Sequence, residues 1–227
     1  MRPEPRLIEV RRNVLKQNDV VARSLRDRFR AAGVFVVSLV SSPGSGKTAF
    51  LEKTLTLLRT TYRVAALVGD LATENDALRL ARSQAPVKQI TTGTLCHLEA
   101  AMVQSALEEW DLNQLDFLFI ENVGNLVCPS SYDLGEDLRL VLISVTEGED
   151  KPLKYPTIFN SADVAVVTKI DLAAAVEFSW DTAYNNIQSV RPGMPILQLS
   201  AKTGEGMEKY LGLLTTRLTE LRQAAAV

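Results

Sequence analysis

The stretch VSSPGSGKTAF, Val40–Phe50, decides how the rest of this sequence is read. It follows an apolar run, VFVVSLV at 34–40, and leads into a segment of helical character. Strand, glycine-rich turn, lysine, hydroxyl residue and helix, in that order, fit the phosphate-binding pattern G-x-x-x-x-G-K-[ST]. The loop positions are Ser41, Ser42, Pro43, Gly44, Ser45, Gly46, Lys47 and Thr48, and the expected nucleotide contacts run from Pro43 on to Ala49. Gly44 and Gly46 let the backbone turn its N–H groups onto phosphate oxygens. Lys47 supplies a point charge to the β- and γ-phosphates, Thr48 a hydroxyl to Mg2+, and the helix its positive dipole end. Ser41 stands where the pattern has its first glycine. That position mainly ends the strand, and a small residue serves there.

Outward from the loop, apolar runs alternate with helical stretches. Strands are predicted at 34–40, 63–69, 87–91, 116–121, 139–145, 163–169 and 195–200, and helices near 46–60, 74–84, 97–110, 178–190 and 205–223. Several strands are apolar throughout, as strands covered on both faces are. The fold class expected is α/β, a mostly parallel central sheet of about seven strands flanked by helices. Ligands in such sheets bind beyond the carboxyl ends of the strands. Residues 1–32 read as an amphipathic helix, with Leu7, Val14, Val21, Leu25 and Phe29 on one face. Arg11, Arg12, Lys16, Arg23, Arg26, Arg28 and Arg30 form its solvated surface, and Gly33 can close it in a left-handed conformation. Residues 33–227 then form the nucleotide-binding domain. The segment TEGEDKPLKYPT at 146–157, with two prolines and several charges, is expected to be an irregular functional loop.

The base and the hard metal are read from the later strand ends. Thr168-Lys169-Ile170-Asp171 looks like the N-K-x-D guanine motif of GTPases with threonine for asparagine. A carboxylate at Asp171 accepts two hydrogen bonds from the N1–H and N2–H edge of guanine, which adenine does not present. The stem of Lys169 can lie across the base. Ser200-Ala201-Lys202 resembles the second guanine loop, where the N–H of Ala201 meets the base oxygen. GTP and GDP are therefore expected rather than ATP. Asp70 and Glu121 close strands and offer hard oxygens which, with Thr48, suit Mg2+. Glu121-Asn122-Val123-Gly124 resembles the D-x-x-G motif of GTPases, and Gly124 can offer its N–H to the γ-phosphate. The catalytic set is thus Lys47, Thr48, Asp70, Glu121 and Gly124. Asn125 stands where Ras-like enzymes carry a water-orienting glutamine, so intrinsic hydrolysis is expected to be slow and dependent on a second molecule.

Softer ligands are few. The single histidine, His97, adjoins Cys96, and the other cysteine, Cys128, follows the 121–125 loop. Two thiolates and an imidazole suit nickel or zinc, but one chain leaves such a site open. Adjacent residues on a regular helix diverge by about 100°, so Cys96 and His97 can share an ion only from a loop or a helix start. On chemistry alone, buried hydrophobic cysteines and a satisfied histidine fit equally.

Composition excludes several classes. The chain has 227 residues and a net charge of −2, which gives no general attraction to nucleic acid or anionic membrane. Two cysteines are too few for a disulfide framework. No run approaches the ~18 apolar residues of a membrane span, and MRPEPRLIEVRRN lacks the apolar core of a signal peptide. A cytoplasmic, unanchored protein is expected.

The longer phrases carry a family resemblance. SSPGSGKT, GDLATENDALR, GTLCHLEAAMV, ENVGNLVCP, VTEGEDKPLKYP and VTKIDL together resemble the hydrogenase nickel-incorporation GTPases of the HypB family, from about Val36 to Ser200. The resemblance implies that Cys96, His97 and Cys128 bind nickel or zinc near a dimer interface. It also implies a GTP-dependent homodimer that delivers nickel to the large-subunit precursor of nickel-iron hydrogenase with a HypA-type partner. On chemistry alone Lys154 reads as a solvated lysine; with the resemblance it can cross to a neighbouring subunit's nucleotide. Related GTPase chaperones for urease nickel or cobalamin share the phosphate loop. A non-catalytic metal-binding protein and a small-molecule kinase are the other readings. Many family members carry an N-terminal Cys-x-x-Cys-Gly-Cys site and a histidine-rich tract; this sequence has neither.

Overall fold

The computed structural model describes residues 6–71 and 75–225, with the side chains of the first helix from Asn13 onward. Among them, seven strands form one sheet in the order β3-β2-β4-β1-β5-β6-β7, every pair parallel. The strands are β1 (Phe35–Ser41), β2 (Val64–Asp70), β3 (Val87–Thr91), β4 (Phe117–Glu121), β5 (Leu138–Ser144), β6 (Val164–Thr168) and β7 (Ile196–Gln198). The helices are α1 (Arg6–Ala31), α2 (Lys47–Leu58), α3 (Asn75–Ala81), α4 (Ala100–Ala106), α5 (Lys151–Lys154), α6 (Pro156–Ser161), α7 (Trp180–Val190) and α8 (Met207–Ala225). β1 lies at the centre, with Leu39 level with Glu121 of β4 and Leu140 of β5.

Both faces of the sheet are covered, which is why the central strands are apolar without alternation. On one face Val37, Leu39, Phe117 and Phe119 pack with Phe50 and Leu51 of α2 and Tyr210 and Leu214 of α8. On the other, Val36, Leu67, Leu118 and Ile120 pack with Leu25 and Phe29 of α1 and Val103 of α4. A third cluster joins Val141, Ile143 and Val167 to α6 and α7 through Ile158 and Ile187.

Three expectations need correction or completion. The buried stripe of α1 is Asn18, Ala22, Leu25 and Phe29, while Val14 is 41 % exposed. A polar residue, Asn18, takes the place in the stripe that apolar periodicity gave to Val14. Lys16, Arg23, Arg28 and Arg30 are solvated as expected, whereas Arg26 pairs with Asp133 at 2.6 Å. Leu7, Arg11 and Arg12 lie outside the described side chains. Gly33 does close α1 left-handed, at φ 66°.

The 146–157 segment is not irregular. A short 3-10 turn at Val145–Glu147 is followed by α5 and α6. Pro152 and Pro156 stand in the first turns of those helices, where a missing N–H costs nothing. Ser144 and Glu147 form a reciprocal capping box that starts the segment. The helix expected near 97–110 is also shorter, beginning at Ala100. The amide of Leu98 donates to Asn122 Oδ1 at 3.0 Å and that of Ala100 to Asn18 Oδ1 at 2.8 Å. Those side chains take up N–H groups near the helix start, and residues 96–99 stay in a loop.

Candidate functional site

The loops that carry the expected chemistry all follow the carboxyl ends of strands. β1 runs into the phosphate loop, where Gly44 and Gly46 adopt φ 80° and 88°. The left-handed φ of Gly46 favours glycine, and a Cβ there would also press on Lys169 Cε at 3.3 Å. Gly46 is also the N-cap of α2, directing that helix's first amides at the cleft.

Glu121 lies beneath this loop at the end of β4, only 1 % exposed. Its Oε1 accepts from Thr48 Oγ1 at 2.8 Å and lies 3.4 Å from Lys47 Nζ. Its Oε2 is buried without a hydrogen-bond partner. Burial pushes the Glu121 carboxyl up, against the pull of the Lys47 charge and the Thr48 hydroxyl, and the nearby Asp76 carboxylate adds to the rise. A buried oxygen without a partner beside a hydroxyl and two further carboxylates is the hard-oxygen donor set that Mg2+ takes. Asp70 ends β2 with Oδ1 accepting from the Leu71 amide at 2.7 Å, and it lines the same cleft. Asp76 and Arg79 of α3 line it too, and the sequence reading missed both. Arg79 sits 3.1 Å from Glu52. The i, i+3 spacing of Asp76 and Arg79, six and nine positions after the strand-closing Asp70, was the available signal.

The base loops converge on the same rim. Thr168 Oγ1 donates to the Ser45 carbonyl at 2.6 Å, so threonine braces the phosphate loop from the position where GTPases use asparagine. Lys169 adopts a left-handed φ of 58°, rare for a side chain with a Cβ. That turn sends its stem over the phosphate loop, where Nζ donates to the Gly44 carbonyl at 2.7 Å. Ser200 Oγ donates to Asp171 Oδ1 at 2.6 Å and so orients the carboxylate. Asp171, Ser200, Ala201, Lys202, Lys169 and Phe50 line one small apolar-walled pocket that adjoins Gly46 and Ala49. The phosphate and base elements thus form a continuous site. Ser42 of the phosphate loop donates to Glu147, a contact the sequence did not suggest.

The third group is the sulfur and imidazole cluster. One candidate ligand atom from each of Cys96, His97 and Cys128 lies within 4.8 Å of the other two. The two Sγ atoms are 2.7 Å apart, and neither cysteine is in a disulfide. His97 Nδ1 lies 4.0 Å from Cys96 Sγ. Its buried Nε2 lies 3.4 Å from the Glu99 carboxylate without forming a hydrogen bond. The ring stacks on Tyr132 at 4.0 Å. The Glu99 carboxylate beside Nε2 and the Cys96 thiol near Nδ1 thus flank the imidazole on its two nitrogen sides. Cys96 and His97 lie in the loop before α4, the position that lets neighbouring residues converge. Lys154 is exposed and pairs with Asp150 at 2.5 Å, which raises its affinity for its proton.

A parallel sheet whose central strand feeds a phosphate loop, with the loops after its last two strands meeting that loop, defines a P-loop nucleotide-binding protein. Residues 35–198 match the family described as the CobW/HypB/UreG nucleotide-binding domain. The chain is 43 % identical over 220 residues to the hydrogenase maturation factor HypB of Azotobacter vinelandii, covering 96 % of this chain and 73 % of that protein. It is 39 % identical over 221 residues to the hydrogenase/urease maturation factor HypB of Helicobacter pylori, covering 96 % and 90 %. The crystal structure of HypB from Helicobacter pylori in complex with nickel superposes with a TM-score of 0.84 at 41 % identity, over 90 % of this chain and 96 % of that one. The chain belongs to the CobW/HypB/UreG family.

Proposed function

We propose that this protein is a GTP-hydrolysing metallochaperone that binds nickel at Cys96, His97 and Cys128 and hands it on during maturation of a nickel-iron hydrogenase. One observation carries the reading: the seven positions from Glu121 to Cys128 join the buried carboxylate of the phosphate site to a thiol of the soft-metal cluster. A change at the γ-phosphate and a change at the ion therefore act on one short loop. Zinc suits the same donors. The relatives' roles, hydrogenase maturation and hydrogenase/urease maturation, support nickel and admit urease as a second recipient.

In this reading residues 33–227 perform the nucleotide chemistry and α1 braces them. Asp171 and the Ala201 N–H select guanine, Lys169 covers the base, and the amides of residues 43–49 hold the phosphates. Thr48, Asp70 and Glu121 hold Mg2+, which when bound offsets charge on the β- and γ-phosphates. Gly124 meets the γ-phosphate with its N–H. Water attacks the γ-phosphorus, the bond to the β-phosphate oxygen breaks, and GDP and phosphate leave. The absence of a water-orienting glutamine at Asn125 makes this slow.

Leu71, Leu78, Leu95 and Val127 support a homodimer. All four are exposed, and each adjoins or lies within two residues of Asp70, Asp76, Cys96 or Cys128. Pairing two chains through this rim hides apolar surface and completes an otherwise open coordination shell. Lys154 then reaches the partner's nucleotide, and a HypA-type chaperone and the hydrogenase large-subunit precursor are the proposed contacts for transfer. No helix among the described residues is long and apolar enough to cross a membrane, and we propose a cytoplasmic setting.

The experiment is a paired assay. Single-turnover GTP hydrolysis and nickel stoichiometry are measured on the full chain and on Cys128→Ala. The reading predicts slow hydrolysis in the wild type and reduced nickel in the variant, with GTP affinity nearly intact. Nickel stoichiometry that does not move in Cys128→Ala contradicts the cluster, and a chain that never turns over GTP contradicts the enzyme.

A further inference from the structure

We infer that Asn125 is the positioning residue through which the nucleotide state reaches the soft-metal ligands. This rests on the proposed function above and assigns the coupling to one side chain. Its amide bridges the two loops that carry the thiols. Oδ1 accepts from the Val127 amide, next to Cys128, at 2.8 Å. Nδ2 donates to the Cys96 carbonyl at 3.3 Å. The orientation of the amide is fixed by chemistry: Val127 N–H can only donate and the Cys96 carbonyl can only accept. One planar group therefore sets the distance between the backbone of one ligand loop and that of the other.

The same residue is tied to the phosphate site through its neighbour. Gly124 lies against the phosphate loop so closely that a Cβ on it would meet Pro43 at 3.2–3.3 Å. Any shift of Gly124 toward or away from a γ-phosphate moves the Asn125 backbone with it. Asn122 supplies a second tie, since its Oδ1 accepts from both Leu98 at 3.0 Å and Val123 at 2.9 Å. The path runs from Pro43 to Gly124 to Asn125 and then to Cys96 and to Val127 beside Cys128, with no gap.

A water-orienting role is the rival for this position. It needs the side-chain carbonyl turned into the phosphate cleft, and here that oxygen is turned onto Val127. Asn125 thus supplies ligand placement where Ras-like enzymes supply water placement.

The test uses the full chain. Nickel alone is titrated calorimetrically in the presence of GDP and of a non-hydrolysable GTP analogue, for wild type, Asn125→Ala and Asn125→Asp. Thiolate-to-nickel charge-transfer absorption is recorded in parallel. The wild type is expected to show nickel affinities that differ at least about fivefold between the two nucleotides. In Asn125→Ala that ratio falls to about one, nickel binding weakens about tenfold as for lost outer-shell support, and the absorption no longer depends on nucleotide. Asn125→Asp keeps the acceptor for Val127 and loses the donor to Cys96, and it is expected to lose the ratio as well. Unchanged GDP affinity, within about twofold, certifies that each variant is folded. A variant that keeps the wild-type ratio overturns the inference and leaves the proposed function standing. A wild type with no ratio overturns both. A fall in hydrolysis rate with the ratio preserved assigns water orientation instead and overturns the inference.

Discussion

In the proposed function, the choice of base turns on Asp171. Held by Ser200 at 2.6 Å, its carboxylate is set to accept from a base edge that offers two donors. Asp171→Asn replaces one acceptor with a donor and leaves a guanine N–H facing another N–H. GTP affinity is expected to fall about 100-fold, with xanthine nucleotides gaining in its place; competition binding measures both. Thr168 makes a different point. Its hydroxyl reaches the Ser45 carbonyl, so Thr168→Val removes the brace without changing shape. GTP affinity is expected to fall several-fold, and thermal unfolding to drop by about 2–4 °C, the effect of losing one hydrogen bond of about 1 kcal/mol in a chain this size. That the 41–48 loop and residues 168–171 and 200–202 meet was legible because each lies within a short motif after a strand. Arg79 and Glu147 were not, since Arg79 meets Glu52 and Glu147 meets Ser42 only once the chain has folded; Asp76 and Glu99 lie in no short motif.

At the scale of elements, α1 and α4 show what periodicity misses. Asn18 donates to the Asp133 carbonyl at 2.8 Å and accepts from the Ala100 amide at the start of α4. It thereby fixes α1, the loop after Cys128 and the helix after His97 to one another. Asn18→Leu conserves volume but leaves a buried N–H and a buried carbonyl unpaired. Scanning calorimetry is expected to show the melting temperature lowered by about 4–10 °C. An unchanged melting temperature would mean that water or a shifted backbone replaces both bonds. In sequence, Asn18 reads as an interruption of an apolar stripe, so Val14 was given the buried place. The strands were located well because doubly covered strands are apolar throughout. The 146–157 segment was misread because prolines mark both loops and first helical turns, and only the Ser144–Glu147 capping pair separates the two.

The whole molecule is closed by charges far from the site. Asp116 accepts from Arg63 of the strand β2 approach at 2.9 Å and from Arg222 of α8 at 2.6 Å, and Arg222 also donates to the Gly33 carbonyl at 3.2 Å. Burial alone would raise the Asp116 carboxyl, but the hydrogen bonds from Arg63 and Arg222 outweigh it and hold the group well below the usual carboxylate range. A carboxyl depressed in the folded state stabilises fully above its unfolded pKa, and that stability disappears as pH falls through the folded value. Asp116→Asn is therefore expected to melt lower than wild type at pH 7, with the gap constant down to about pH 5 and closing progressively below about pH 4. A gap that widens in acid would contradict this sign.

At the same scale, the proposed nucleotide and soft-metal sites occupy one rim and share the loop from Glu121 to Cys128. Membership in the CobW/HypB/UreG family was legible from phrases spread over most of the chain, yet the contact between the sites was not. It depends on which way two asparagine side chains turn, and sequence spacing does not encode that. The most direct test is the reciprocal one: the affinity of the protein for a GTP analogue and for GDP, each measured with and without saturating nickel. Linkage requires that an ion which favours one nucleotide state shifts the ratio of the two affinities, by at least about fivefold in this account. A ratio that stays the same with and without nickel would mean that the two sites are neighbours without being partners.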